Sequence, residues 1–553
     1  MVNPPQRSAM SGDLPVLIVG AGPVGLVLAK ELSYHGIRCM LIERNLDTTR
    51  WPKMDITNCR SMELLRRLGL EEGWRKVGVP AQYSFDVVFS TGLAGREFAR
   101  WALPSVDAMR ERIREHNDGT MPAVPYQRGS QEVFEAWLKR LCETDPLIEV
   151  HSGWRFDSLT QDHEGVTATI TDTTTNTVRT LRARYLIGCD GATSAVRKAV
   201  EIPLQGRPVP RIARQVHFKS RDLTALHVHG QFWHSFFATT GTLISQDEVD
   251  TWTLQRYYPP NQDPSGIPSE EVVMSTIGRP IEIDRILVTS VWQGNLLVAD
   301  RYRAGRVFLA GDSAHQNIPT GGYGMNTGVG DAIDIDWKLA ATAQGWGGPS
   351  LLASYEIERR PVAVRNVARS ERHANVHGQW RSQMNRELLD ADTPDGAAHR
   401  AMINHFIQTE RGENEDHGVE LGYRYEGSPI IVAEGGDAPA WSPRVYTPTT
   451  WPGGRPPSVI LEDGSLLFDR FGKGFTLLDF ADDPQASTLV AAATSRGLPI
   501  ERVVIRDANA KRLYERNLVL IRPDQHVAWR GDRVPSDALG IIDQVRGASA
   551  RVA

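Results

Sequence analysis

The sequence predicts an α/β fold organised around a dinucleotide-binding βαβ unit. Three observations carry this: a strand, glycine turn, helix, strand and acid in succession from Val16 to Arg44; two later apolar runs that each end on an Asp/Gly pair; and between them a ring-rich stretch of short strand-like pieces. Val16-Leu17-Ile18-Val19 reads as a buried strand, Gly20-Ala21-Gly22-Pro23-Val24-Gly25 as the turn, Leu26 to Tyr34 as a helix and Cys39-Met40-Leu41-Ile42 as the next strand, closed by Glu43. Gly20 turns the chain tightly, Gly22 lets the backbone approach a pyrophosphate, and Gly25 lets helix and strand pack closely. The helix N-terminus faces the phosphates, and Glu43 is placed to accept hydrogen bonds from a ribose.

Composition narrows the partners. With 62 basic and 67 acidic residues in 553, the net charge of -5 provides no broad basic field, so nucleic acid and anionic lipid are excluded and a small molecule is expected. The four cysteines, Cys39, Cys59, Cys142 and Cys189, form no CxxC and read as reduced core thiols, which fits an intracellular, cytoplasmic setting. The leader Met1 to Asp13 is polar and lacks an apolar segment, and no later run approaches a membrane span.

Taken in order, Asp47 to Pro52 is loop-like and Asp55 to Leu68 has helical spacing, with Met62, Leu65 and Leu68 on one face. Gln127 precedes a helix carrying Val133, Phe134, Trp137, Leu138 and Leu141. Short strands of a meander follow, then the buried run Tyr185 to Cys189, ending at Asp190-Gly191. From Gln215 to Val291 short strand-like pieces carry Phe218, Phe232, Trp233, Phe236, Phe237, Trp252, Tyr257 and Tyr258; they read equally as a pocket wall or as an ordinary sheet core. A second buried strand, Arg306 to Ala310, reaches Gly311-Asp312; a glycine-rich loop and two long helices, the second over Leu351 to Asn375, come next. The Pro, Gly and Thr density over Gly435 to Pro457 marks a linker. Beyond it, strand-like runs at Val459, Phe475 and Val503, a helix from Gln485 to Ser495 and a hairpin from Leu518 to Trp529 make a small α/β unit without cysteine.

The order of these motifs resembles the class A FAD-dependent aromatic hydroxylases, in the phenol hydroxylase and chlorophenol monooxygenase branch. The resemblance rests on Gly20 to Gly25 with Glu43-Arg44; on Cys189-Asp190-Gly191-Ala192 with Ser194 and Arg197; and on Ala310-Gly311-Asp312-Ser313-Ala314-His315 running to Pro319 and Asn326. It implies a Rossmann-like FAD-binding domain over residues 14–430 with an interleaved substrate-binding sheet, mainly 79–121 and 205–295, a linker over 431–457, and a thioredoxin-like domain over 458–553. Lacking cysteine, that last domain is left a structural or homodimer-contacting role. Such enzymes use NADPH or NADH as a transient reductant of FAD, capture O2 as a flavin C4a-hydroperoxide and pass one oxygen to an electron-rich ring, here a phenolic or polyketide-type aromatic compound.

By the same resemblance, Gly20, Gly22, Pro23, Gly25, Glu43 and Arg44 bind the FAD nucleotide, Asp190 serves FAD and reductant, and Asp312 holds the ribityl chain. Gly324, Met325 and Asn326 open a helix aimed at the flavin pyrimidine, Gln127 contacts the flavin side chain, and Lys53 stands where relatives carry arginine near the phosphates; lysine keeps the charge and loses the bidentate fork. Asp55, five residues before Arg60, matches an aspartate that accepts the phenol proton. Read from the residues alone, Asp55 is either that base or a helix N-cap, and Tyr323 either bonds the substrate hydroxyl or belongs to the core. His227, His229 and His234 lack accompanying cysteines or carboxylates, so no metal site is expected; His315 supports the Gly-Asp turn. Two alternatives share the scaffold: a Baeyer-Villiger or decarboxylative monooxygenase, and a flavin-bearing protein that sequesters an aromatic ligand without turnover.

Overall fold

The computed structural model describes residues 14–239 and 241–548; the polar leader lies outside them. Strand Leu14–Val19 pairs in parallel with Cys39–Glu43 on one side and Thr177–Gly188 on the other. Ile148–Ser152 extends the sheet in parallel at one end and Val307–Leu309 toward the other, where Arg303–Ala304 adds a short antiparallel edge. Val16 to Val19 are buried, as central parallel strands covered on both faces require. Helix Pro23–Tyr34, with its proline at the start, packs on this sheet with helices Gln131–Glu143 and Tyr323–Ala343. The predicted meander is present as antiparallel Trp154–Gln161 and Val166–Asp172 leading into Thr177–Gly188.

A second sheet holds, in spatial order, His315–Gln316, Arg285–Ala299, Leu204–Lys219, Thr251–Tyr258, Gly241–Ser245, His234–Phe237, Val87–Ser90 and Glu97–Trp101. It is antiparallel except where His234–Phe237 lies parallel to Val87–Ser90. Strand alternation divides its rings between two faces. Phe218, Trp252 and Phe237 join Val216, Leu243 and Leu254 in a core beneath helix Ser269–Ile277. On the opposite face, His234 and Phe236 lie in register with Ile244 and Thr242, which continue through Thr253 and Gln255 to His217 and Gln215. The core reading of the ring-rich stretch therefore holds for the first face, and the second face turns toward helix Ser354–Gln383, where Phe236 meets His377.

The C-terminal residues form a four-stranded sheet in the order Ile500–Val504, Phe475–Asp479, Leu518–Ile521, Val527–Gly531, parallel for the first pair and antiparallel thereafter, with helices Ala486–Ser495, Ala508–Tyr514 and Ala538–Val545. Residues 431–457 run without helix or strand along this unit: Val432 N–H donates to Ala528 O and Gly453 N–H to Val527 O. Val459 to Leu461, expected as a strand, makes only an isolated bridge from Ile460 to Leu466, because Asn117 takes the Ile460 backbone groups.

Buried ion networks join this unit to the rest. Arg522 donates to Glu358 at 2.6 and 2.8 Å and to Asp524 at 2.7 Å, and Lys338 to Asp334 at 2.5 Å and Glu358 at 2.6 Å. All five side chains have essentially no exposed surface. Burial drives Asp334 well above the usual carboxylate range, while Arg522 and Lys338 hold Glu358, and Arg522 holds Asp524, below it. Nearby, Arg455 grips Glu63 of helix Cys59–Arg67 at 2.5 and 2.9 Å, while Arg60 reaches Gln525 and the Asp524 carbonyl.

Two helices differ from their expected extents. The segment from Asp55 splits into a two-residue strand, Ile56–Thr57, paired with Gln127–Arg128, and a helix that begins only at Cys59, because Asn58 Oδ1 caps it by accepting from Ser61 N–H at 2.9 Å. The helix expected over Leu351 to Asn375 spans Ser354–Gln383.

Candidate active site

The glycine turn has a clear division of labour. Gly20 holds φ 107°, and a Cβ there would come within 2.4 Å of Cys189 O; one on Gly25 would come within 2.0 Å of Gly20 O. Both glycines are required by the fold itself. A Cβ on Gly22 would meet only Glu135 Oε1, at 3.9 Å, so the protein leaves a cradle there that its own packing does not demand. Glu43 Oε2 accepts from Ala21 N–H at 2.9 Å and Oε1 from Asn45, which fixes the acid at the turn. Arg44 is exposed beside it.

Lys53, Glu135 and Asp312 ring the same crevice. Asp312 is exposed to it and makes no hydrogen bond; the surrounding protein raises its pKa, opposed by His315 and Lys53. Asp331 holds the turn before it, accepting from Gly311 N–H at 3.1 Å, His315 Nε2 at 2.8 Å and Arg359 Nε at 2.8 Å. His315 thus supports the turn as expected. Helix Pro23–Tyr34 and helix Tyr323–Ala343 both begin at glycines with no side-chain cap, and a Cβ on Gly324 would meet only Asn317 Cβ at 3.9 Å. Two uncapped helix starts, an open glycine at each and a free carboxyl fit a dinucleotide cofactor with a phosphate bridge and a hydroxylated chain. Gly22→Val should leave the fold intact and abolish flavin retention; circular dichroism and the visible spectrum of the purified protein check this together.

Other expected contacts are placed differently. Gln127 is 1% exposed, and its amide is spent on Val79 O at 2.9 Å, Arg128 O at 2.8 Å and Arg75 Nη1 at 3.1 Å, leaving nothing to offer the crevice. The glutamine that faces the crevice is Gln131, whose Nε2 donates to Glu135 Oε1 at 2.6 Å; the i,i+4 spacing of Gln131 and Glu135 on one helix was the available signal. Asp190 caps the short helix Ala195–Ala199, accepting from Ser194 Oγ at 2.5 Å and from Ala195 and Val196 N–H. Asn326 ties helix Tyr323–Ala343 to the segment after Asp55 through Ile56 O, Gly322 O and Asn58 N–H. Met325 is half-buried beside it. Tyr323 is core: it is 2% exposed, and its hydroxyl lies 3.2 Å from His373 Nε2 and 3.3 Å from Asp416 Oδ2.

Asp55 is not the helix cap, since Asn58 is. Its Oδ2 lies 2.7 Å from His234 Nε2, while Oδ1 carries no hydrogen bond; the side chains keep 21% and 13% of their surface exposed. The pair joins the nucleotide domain to the inner face of the second sheet. Phe236 shares that face and meets the His377 ring at 4.3 Å, and Glu413 couples His377 Nε2, at 2.6 Å, to Gly321 N–H, at 3.1 Å, in the glycine-rich loop. His227 and His229 turn elsewhere, toward Glu248 and Gly92 O, so the three histidines do not converge. Among the described residues, the groups whose ligand atoms lie within 4.8 Å of one another are Cys59–His417–Glu420 and Glu31–His35–Asp336; in the second, Arg67 pairs with Glu31.

A parallel sheet with an open glycine turn, a second Gly-Asp turn and a helix aimed into the same crevice defines a flavin-binding oxidoreductase. The FAD binding domain family matches residues 13–370, and the aromatic-ring hydroxylase C-terminal family matches residues 449–549. The FAD-dependent monooxygenase apdD of Emericella nidulans is 44% identical over 99% of this chain and 92% of its own, and the 2,4-dichlorophenol 6-monooxygenase of Delftia acidovorans 29% identical over 98% of both. The structure of the flavin-dependent monooxygenase PieE in complex with FAD and substrate superposes with a TM-score of 0.89 at 30% identity, covering 98% of this chain and all of that one. The chain belongs to the FAD-dependent aromatic-ring hydroxylases, flavoprotein monooxygenases that take NAD(P)H as reductant.

Proposed function

We propose that this monooxygenase hydroxylates a phenolic or polyketide-type ring, with Asp55 as proton acceptor and His234 as its partner. The observation that carries the reading is the Asp55–His234 pair: one carboxylate oxygen is held by the imidazole, and the other is free at the junction of the nucleotide crevice and the substrate sheet. Removing the proton of a ring hydroxyl places electron density on the ortho and para carbons, which is what an electrophilic oxygen requires. His234 fixes the orientation of Asp55 and offers an ionisable neighbour for the captured proton. The bound flavin supplies electron transfer from NAD(P)H and activation of O2, for which no side chain is competent.

The nucleotide half of the cofactor is assigned to Gly20, Gly22, Pro23, Gly25 and Glu43, with Arg44 and Lys53 as the nearby cations. Asp312, Gly324 and Met325 are assigned to the flavin half, with Gln131 in the place expected of Gln127. Helix Tyr323–Ala343 aims its first amides toward negative charge, worth up to about 2 kcal/mol when partly buried. The assignment of domains is 14–430, 431–457 and 458–553, the last a thioredoxin-like unit; its strand order, with a parallel pair followed by an antiparallel hairpin, supports that reading. Without cysteine it has a scaffolding or homodimer-contacting role. Four buried free thiols support a cytoplasmic setting, and no helix among the described residues is long and apolar enough to cross a membrane.

The test is NAD(P)H oxidation by the FAD-loaded enzyme against a panel of phenols and fused-ring polyketide phenols, with products identified by mass. One compound that accelerates oxidation and gains a single oxygen on a ring carbon is the expected result. Oxygen inserted into a carbon–carbon bond, or lost carbon dioxide, would replace hydroxylation with an oxygenative rearrangement; tight binding without any oxidation would make the chain a ligand carrier.

A further inference from the structure

Helix Ser354–Gln383 presents His373, His377 and Arg381 at four-residue steps, one stripe facing the substrate sheet. His373 is engaged with Tyr323 and Asp416, and His377 with Phe236 and Glu413. Arg381 has no such partner. Its guanidinium lies 4.5 Å over the Trp380 ring and donates one hydrogen bond, from Nη1 to His377 O at 3.3 Å. Its Nε is buried with no acceptor, and among the described residues no carboxylate stands within ion-pair distance of it.

The charges around it do not repair this. Glu413, the acid that acts on it, is spent on His377 and Gly321 N–H, and Arg211 adds a second positive charge. Burial, with Arg211, pushes the Arg381 pKa down to about 10, and it remains a cation. Arg381 is half-buried with its Nε shut off from water, and withdrawing part of a guanidinium from water without an anion has a cost that a helix C-terminus offsets only in part. Across from it lies Tyr257, on the inner sheet face, whose hydroxyl donates to Gln255 Oε1 at 3.1 Å; burial raises its pKa to about 12. Gln255 is in register with Thr242, and Thr242 with Phe236. Two strand spacings and two residues along the strand put Tyr257 roughly 12 Å from Phe236, and two further residues put it roughly 17 Å from His234. The shorter of these spans is the length of a fused three-ring system.

We propose that Arg381 is an oxyanion subsite for the end of the substrate remote from the Asp55–His234 pair. The natural substrate is then an extended ring system carrying a carboxylate or an enolate at its far end, and not a simple phenol. This rests on the reading that Asp55 faces the ring to be hydroxylated. A missing counter-ion, a row of amide and hydroxyl groups leading to it, and its distance from the proton acceptor are together explained by one ligand oxyanion.

Binding to the FAD-loaded enzyme, read from perturbation of the flavin visible spectrum, tests this with two matched pairs. These are 6-hydroxy-2-naphthoate against 2-naphthol, and the enolate 4,7-dihydroxycoumarin against 7-hydroxycoumarin. The wild type should bind at least one anionic member tenfold or more tighter than its neutral partner; which pair responds tells carboxylate from enolate. Arg381→Gln should erase the preference and Arg381→Lys should keep part of it, while ligand-free R381Q unfolds at the same or a higher temperature than wild type, because an uncompensated half-buried charge has gone. Equal affinities within both pairs, a preference that survives in R381Q, or a fall of several degrees in its unfolding temperature would overturn the subsite and leave the hydroxylase reading in place. If no compound perturbs the flavin, the placement of the substrate beside Asp55 fails as well.

Discussion

Replacing Asp55 by alanine should leave FAD bound and NAD(P)H oxidation responsive to substrate, while hydroxylated product falls by a factor of about 10² to 10⁴, the usual range for a positioned general base. Electrons that no longer reach the ring should appear as hydrogen peroxide, so the ratio of product to NAD(P)H consumed is the decisive measurement. The geometry makes the prediction specific. Asp55 is not needed as a helix cap, because Asn58 caps helix Cys59–Arg67, so its loss does not unwind the segment next to the cofactor. His234→Ala should show the same uncoupling in weaker form, since the carboxylate remains and only its orientation is lost. Unchanged coupling in D55A would remove Asp55 from the chemistry altogether.

Arg522→Ala should destabilise the protein by about 3–5 kcal/mol, as expected when one member of a buried ion network is deleted and the others are left uncompensated. Arg522 bridges Glu358 on helix Ser354–Gln383 and Asp524 in its own hairpin, with Asp334 of helix Tyr323–Ala343 at 3.3 Å. Those two helices carry His377 and the uncapped start that opens on the crevice. Loss of Arg522 should therefore lower the unfolding temperature and also raise the rate of flavin release, and Arg522→Met, which fills the volume without a charge, should not restore either. Thermal unfolding followed in parallel by circular dichroism and flavin fluorescence measures both. An R522A protein that unfolds with wild-type midpoint would show that the C-terminal unit is held by its apolar contacts alone.

Much of the candidate cofactor crevice was legible because it is local. Gly20 to Gly25, Glu43 and the Gly311-Asp312 turn each lie within one strand–turn–helix step, where spacing dictates geometry. The substrate side was harder to read. His234 gave no signal beyond alternating with Phe236 on a strand, and its partner lies 179 residues away. Tyr323 and Gln127 sit in promising positions along the chain, yet their polar groups are consumed by His373 and Asp416 in one case and by Val79, Arg128 and Arg75 in the other.

The sequence by itself determined the class of fold, the glycine turn between its first strand and first helix, and the lack of cysteine in the C-terminal unit, all of which follow from residue type and short-range spacing. Only the tertiary structure decided that Asn58 rather than Asp55 caps its helix, that Asp55 meets His234, and that among the described residues no carboxylate pairs with Arg381, whose Nε is buried without an acceptor. The physical reason is the same in each case: a hydrogen bond or an ion pair belongs to whichever group the packing of distant elements brings within about 3 Å, and one sequence read along its length does not contain that distance.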